Sequence, residues 1–349
     1  MNENRKYKSS YYRTVFLILG LLLIFFFIAD LLLGSVVIPL KQVYLAFFPS
    51  AETNETFRTI ILSFRLPKAF TAILTGAALS VSGLQMQTVF RNPLAGPYVL
   101  GISAGASLGV ALFVLGFSSV ISFGVISVTG AWSLAVVAWI GSFLVMMLVL
   151  YVSTRVNDIL TVLILGILFT SAVSAIVNIL QYFSSESMLK TFVVWTMGSL
   201  GSVTNTQLMV MAPAILLGLF LAFLKIKDLN VFLLGENYAR SLGTKIISSR
   251  VLIFISTSLL AGTVTAFCGP IGFIGIAVPH ICRVIFRTAD HLILVPAVIL
   301  VGSIVMLFSD IVSQLPGIQT TLPINSVTAI IGIPIIIWMI MKNKKFDSV

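Results

Sequence analysis

Apolar runs close to the length of a membrane crossing recur from one end of this chain to the other. They are Val15–Leu33, Ala69–Val89, Val99–Phe117, Ala131–Tyr151, Ile159–Tyr182, Leu208–Leu224, Val251–Phe267, Ile271–Ile285, Leu292–Val312 and Val327–Met341. Crossing the hydrocarbon core as a helix takes about 20 apolar residues. Backbone polar groups at that depth find no water, so a helix, which pairs them within its own segment, is the expected form. Ile271–Ile285 and Val327–Met341 are short for a crossing and need help from flanking residues. Leu189–Leu200 is shorter still and reads as a re-entrant or interfacial helix; Ile121–Thr129 is able to extend the fourth helix. Charged residues make up 9% of the 349 residues, against about 25% in soluble domains. The expectation is an all-α integral membrane protein of about ten transmembrane helices, folded as a single domain over residues 1–349.

The basic residues fix an orientation. With the N-terminus inside and ten alternating spans, sixteen of the 21 Lys and Arg residues fall inside, and Lys41, Arg58, Arg65, Lys68 and Lys190 fall outside. Positive charge accumulates in cytoplasmic loops, so both termini are expected in the cytoplasm of a protein in the cell (inner) membrane. The same rule accounts for the net charge of +10 without nucleic acid. Arg5, Lys6, Lys8 and Arg13 precede the first run as in a signal peptide, but no clean small-residue cleavage site follows, so a retained helix is expected. Cys268 and Cys282 lie in apolar stretches without a CxxC spacing, and neither a disulfide nor a structural zinc is expected.

Catalytic signatures are missing. There is no GxxxxGK[ST] phosphate loop, HExxH or GxSxG. The chain is therefore expected to be no enzyme, to need no cofactor and to hydrolyse no ATP by the P-loop route. His280 and His291 are the only histidines, both near the inner face. Asp310, near the outer end of the ninth span, is read as a helix-end or packing residue; the rival reading is proton coupling in an ion-gradient-driven secondary transporter. Ser171, Ser174, Asn178 and Gln181 share one helical face of the fifth span. Such a stripe either lines a wet pathway or bonds a neighbouring helix.

Several motifs run in order along the chain. Arg65-Leu-Pro-Lys68 opens the second span, with the small residues Gly76, Ser80 and Gly83 behind it. Arg91-Asn-Pro-Leu-Ala-Gly-Pro97 is followed by the glycine-rich Gly101–Gly109. Then come Trp195-Thr-Met-Gly198-Ser, Leu234–Gly243, Gly269–Arg283 and Leu322–Pro334. At these residues, from about Arg65 to Met341, the sequence resembles the FecCD-type permeases, the membrane subunits of ATP-binding-cassette importers for iron–siderophores, haem and cobalamin.

The resemblance implies a cobalamin-importer-permease-like fold and a defined assembly. Two permease subunits, identical or different, form the pathway; two ATPase subunits bind from the cytoplasm, and a substrate-binding protein docks outside. It implies two short coupling helices in the loop Lys225–Arg250, with Gly235, Glu236, Ala239, Arg240, Leu242 and Gly243 gripping the ATPase; the plainer reading of that loop is a solvated connector. Gly235 and Gly243 suit tight turns, and Glu236 and Arg240 stand four apart in the order that favours an ion pair. The resemblance also implies that Arg65 and Lys68 dock the binding protein, and that the fifth helix lines the pathway. It departs at Gln314, where the family has a basic residue, and at Thr321 and Asn325, where it has Glu and Gly. The implied cargo is a metal chelate, an iron–siderophore first, then haem or cobalamin. Bare transition metals need His, Cys or carboxylate ligands, and the spans offer no such cluster.

In intact cells, Lys190→Cys should react with a membrane-impermeant maleimide and Lys345→Cys should not. Reaction at 345, or protection of an accessible 190, removes the ten-span arrangement.

Overall fold

The computed structural model describes residues 2–116, 131–156, 158–314 and 321–343, and these residues are helical with no strand. Fifteen α-helices follow one another among them: α1 Asn2–Leu32, α2 Leu40–Phe47, α3 Glu55–Thr59, α4 Leu66–Val89, α5 Ile102–Ala111, α6 Ala131–Arg155, α7 Ile159–Tyr182, α8 Glu186–Thr196, α9 Asn205–Leu224, α10 Ile226–Phe232, α11 Glu236–Ser241, α12 Ile246–Cys268, α13 Ile274–Phe286, α14 His291–Ser313 and α15 Ile324–Asn343. Seven helical stretches are long and apolar enough to cross a membrane, and Ile102–Gly116, Ile274–Phe286 and Ile324–Met339 are shorter apolar helices. Together they correspond one for one with the ten apolar runs. The stretch read as re-entrant is the short helix α8. Ile121–Thr129 and Lys345 lie outside the described residues.

Helix α4 is the centre of the bundle. Its side chains are buried almost throughout, and α14, α13, α12 and α9 pack around it. The approach of α14 is close enough to require glycine on both sides. A Cβ on Gly76 would strike the backbone of Gly302, and one on Gly302 would strike Gly76 and the Ser80 hydroxyl. The Ser303 hydroxyl donates to the Ile73 carbonyl at 3.0 Å across the same contact. Lipid tails are as apolar as Leu, so helices in a bilayer associate through such close packing and interhelical hydrogen bonds.

The outer helices keep an apolar face uncovered. On α1, Leu17, Leu21 and Phe25 are exposed, as are Ile164 and Leu168 on α7 and Ile330 and Ile337 on α15. In water this surface would aggregate; in a bilayer it meets lipid or another membrane subunit.

Gly302→Leu should abolish the α4–α14 approach. Inserting side-chain atoms into a packed core costs about 1–3 kcal/mol even where neighbours yield, and the obstacle here is backbone. Monodisperse protein after detergent extraction should fall severely, while Gly20→Leu on α1, with open space around it, should leave it unchanged.

Candidate functional site

At the end where α4 begins, charge gathers inside the protein. Lys68 Nζ lies 2.9 Å from Asp310 Oδ2, and both side chains are largely or fully enclosed. Gln314 Nε2 donates to the same carboxylate oxygen at 3.0 Å. Arg65 donates from Nη1 to the Leu31 carbonyl at 2.7 Å and from Nη2 to the Val36 carbonyl. Asp30, also buried, interacts electrostatically with Asp310, Lys68 and Arg65. Two cations thus meet two carboxyl groups in one buried cluster.

Arg65 and Lys68, expected from the resemblance to dock the binding protein, are engaged within the chain. Arg65 is 8% exposed and its guanidinium binds internal carbonyls; Lys68 is committed to Asp310. Neither is a free surface charge for an acidic partner. The physical reason is desolvation: a buried cation without partners is costly, so the fold supplies them. Gln314 follows the same logic. An amide there adds a hydrogen bond to the Asp310 carboxylate without adding charge. Asp310 is a packing residue, as its position suggested. Asn325 pins two loops, accepting from Gly272 N–H at 3.0 Å and donating its own N–H to the Met197 carbonyl. Beside the cluster opens a cleft of about 410 Å³, lined by Lys68, Asp310, the loop at Gly198–Gly201 and the residues from Thr321 to Ile324.

The stripe on α7 faces away from its own bundle. The buried residues of α7 are Val162, Gly166, Val173 and Val177, while Ser171, Ser174 and Asn178 are exposed and Gln181 is half-buried. Ser171 donates to the Ile167 carbonyl at 3.0 Å and Ser174 to the Thr170 carbonyl at 2.9 Å. Both hydroxyls are therefore satisfied in any surroundings. The exposed Asn178 amide is the group in this stripe that favours water or a partner over lipid.

At the opposite end, the loop after α9 forms two short helices, α10 and α11. Gly235 and Gly243 bracket α11 with φ of +99° and +79°, the left-handed conformations foreseen for them. Ala239, assigned by resemblance to the ATPase contact, is fully buried. It packs with Leu229, Phe232 and Ile246, because a six-residue helix needs one face seated on the protein. It supports α11 from behind. Tyr238 and Leu242, each 57% exposed, and the exposed Arg240 form the outward face. The Glu236 side chain, and with it the expected pair with Arg240, lies outside the described residues.

The base of this loop is anchored by polar contacts. Lys225 Nζ lies 2.8 Å from Asp228 Oδ2, to which Ser249 also donates at 2.6 Å. Partial burial pushes the Asp228 carboxyl up, but the hydrogen bonds from Lys225 and Ser249 and the lysine charge outweigh it, holding it below the usual carboxylate range. Sequence reading missed two further networks. Gln85, in the middle of α4, donates to Ser256 at 3.0 Å and accepts from Thr257 at 2.8 Å. Thr88, Asn230 and His291 form a chain described below. A Gln inside an apolar run was the available signal for the first. Nothing local marked the second, because its members come from three separate segments.

A bundle of ten apolar helices, with a seated loop at one end and a polar cleft at the other, defines a multi-pass membrane transport permease. Residues 21–342 match the FecCD transport family, and the chain belongs to it. The match reaches into the first helix, further than the motifs alone. The chain is 34% identical over 333 residues to the hemin transport system permease protein HmuU of Yersinia pestis, covering 95% of this chain and 97% of that one. It is 35% identical over 284 residues to the vitamin B12 import system permease protein BtuC of Klebsiella pneumoniae subsp. pneumoniae, covering 81% and 83%. A solved metal-chelate type ABC transporter, in an inward-facing conformation, superimposes with a TM-score of 0.82 at 29% identity, covering 95% of this chain and 99% of that one.

Lys68→Met should destabilise the permease by roughly 3–5 kcal/mol, the usual consequence of removing one partner from a buried pair. Adding Asp310→Leu should recover most of the loss, read as the melting temperature of the detergent-purified protein. A freely accessible docking lysine would show no such recovery.

Proposed function

We propose that this chain is one of two permease subunits in the cell (inner) membrane that carry a metal chelate inward by alternating access, driven by two partner ATPases. Near-full-length identity to a hemin permease carries this reading. A substrate-binding protein delivers the chelate at the end where α4 begins, and the polar stripe of α7 faces the pathway between the subunits. Both termini and the α10–α11 loop lie in the cytoplasm. Uptake into proteoliposomes of haemin, cyanocobalamin and a ferric siderophore, each with its binding protein, distinguishes the three cargoes. The sixteen-to-five distribution of basic residues supports the orientation.

The ATPase contact is assigned to the outward face of α11. Tyr238 and Leu242 are large, exposed and partly apolar, at the end of a loop that Ala239 holds in place. Tyr and Arg, desolvated in a partner's cleft, are enriched among the residues that dominate association energies, and Tyr238 stands beside the exposed Arg240. Ala239→Trp would unseat α11 and confound folding with binding, so the exposed positions are the better probes.

Tyr238→Glu combined with Leu242→Glu should lower ATPase co-purification and ATP-driven uptake at least about tenfold, a loss of about 1.4 kcal/mol in binding. Permease yield and melting temperature should not change. Wild-type co-purification would show that the loop is a connector.

A further inference from the structure

Where α4 ends, three segments meet at one buried imidazole. His291, the first residue of α14, is 1% exposed. Its Nδ1 lies 2.7 Å from Asn230 Oδ1 on α10, and its Nε2 lies 2.8 Å from the Thr88 hydroxyl on α4. The Asn230 oxygen also accepts from the His291 backbone N–H at 2.8 Å. An amide oxygen only accepts, so the hydrogen sits on Nδ1. Asn230 Nδ2 donates to Asp290 Oδ1 at 2.7 Å, and that oxygen also accepts from Leu292 N–H at 2.9 Å, capping α14. The Thr88 hydroxyl also faces the Leu84 carbonyl at 2.8 Å, so its one hydrogen is shared between that oxygen and Nε2, and α10 is tied to the last turn of α4 and the first turn of α14 at once.

These two helices are the spine of the bundle. They run antiparallel, meet at Gly76 and Gly302, and are joined at their other ends by Lys68 and Asp310. Helix α10 leads within a few residues into α11, and the Ala239 N–H donates to the Gly235 carbonyl at 2.9 Å to start it. A displacement of α11 therefore reaches the spine through α10 and the Thr88–His291–Asn230 chain.

We propose that Thr88, His291 and Asn230 are positioning residues for transport: they make the coupling loop and the α4–α14 spine one rigid body, so that movement of the ATPase moves the membrane helices. This rests on α11 being the ATPase contact. A buried chain that fixes three elements at a single imidazole has little slack: cutting the Thr88 end unties it from α4, and cutting the Asn230 end unties α10 from α14, leaving α10 its polar contact to α12 through Asp228 and Ser249. Mutation along such a network weakens the coupling between sites without unfolding the protein.

Thr88→Val removes one hydroxyl at nearly constant volume, Asn230→Ala cuts the other end, and Thr88→Ser keeps the hydroxyl. Each is prepared with the co-expressed ATPase in nanodiscs or proteoliposomes. Spin labels are placed at Thr56→Cys and Ser241→Cys, both exposed positions; the native Cys268 and Cys282 are buried. In the parent and in Thr88→Ser, the 56–241 distance should be the same before and after trapping with ATP and vanadate. In Thr88→Val and Asn230→Ala, the distance should shift or broaden on trapping. Vanadate-sensitive ATP hydrolysis should persist, with haemin uptake per ATP lowered about tenfold. Unchanged distances and uptake in both cut variants would overturn the proposal. Should one variant fail to fold, the other decides. Wild-type ATPase co-purification with Tyr238→Glu combined with Leu242→Glu would instead overturn the assignment of α11, and the inference with it.

Discussion

The antiparallel pair of α4 and α14 is the contact on which the rest of the structure depends. At its middle, Gly76 and Gly302 let two backbones touch. At one end Lys68 meets Asp310, and at the other Thr88 meets His291. Hydrocarbon competes for none of these interactions, so each polar contact specifies position more strongly than the same contact at a wet surface. The remaining core helices are then placed by α4. Gln85 holds α12 through Ser256 and Thr257, and Ser256 in turn donates to the Gly218 carbonyl of α9. Gln87 donates to the Ile276 carbonyl of α13 at 3.1 Å and accepts from Arg283 at 2.6 Å.

Hydropathy made the spans legible because the bilayer imposes a length and a composition on each of them. It also showed the outward-facing stripe of α7, since helical periodicity places Ser171, Ser174 and Asn178 together regardless of tertiary structure. Gly235 and Gly243 were legible for a similar reason: their backbone conformations are local. What sequence reading could not supply was pairing between distant segments. Arg65 and Lys68 look like surface charge in one dimension, and only the fold brings Leu31, Val36 and Asp310 to them. The seating of Ala239 is likewise tertiary: a short helix cannot hold its shape without burying one side, and the small residue marks that side.

The cluster at the start of α4 also gives one departure from the family pattern a place in the fold. Gln314 is tied by geometry to Asp310 and is no isolated surface substitution. The amide donates to the carboxylate without adding charge. Asn325 is similarly internal, holding Gly272 and Met197 in register. Both side chains thus stand behind the cleft, holding residues that line it: Gln314 bonds Asp310, and Asn325 bonds Met197.

The polar links are distributed unevenly, and that distribution bears on motion. Helices α4, α9, α12, α13 and α14 are joined by side-chain hydrogen bonds that cost free energy to break in a dry interior. On α7 the hydroxyls of Thr170, Ser171 and Ser174 turn back onto carbonyls of the same helix. Its contact with the bundle is made by Val162, Gly166, Val173 and Val177, with Gly166 set against the Val99 carbonyl. Apolar contacts in lipid can be exchanged for lipid contacts at small cost, because both sides are equally apolar. The core helices are thus bound to move as a unit, while α7 can shift against them for the price of packing alone. A transporter that opens alternately to two sides needs both properties: a stiff body to carry the motion, and a helix on its open face that can yield.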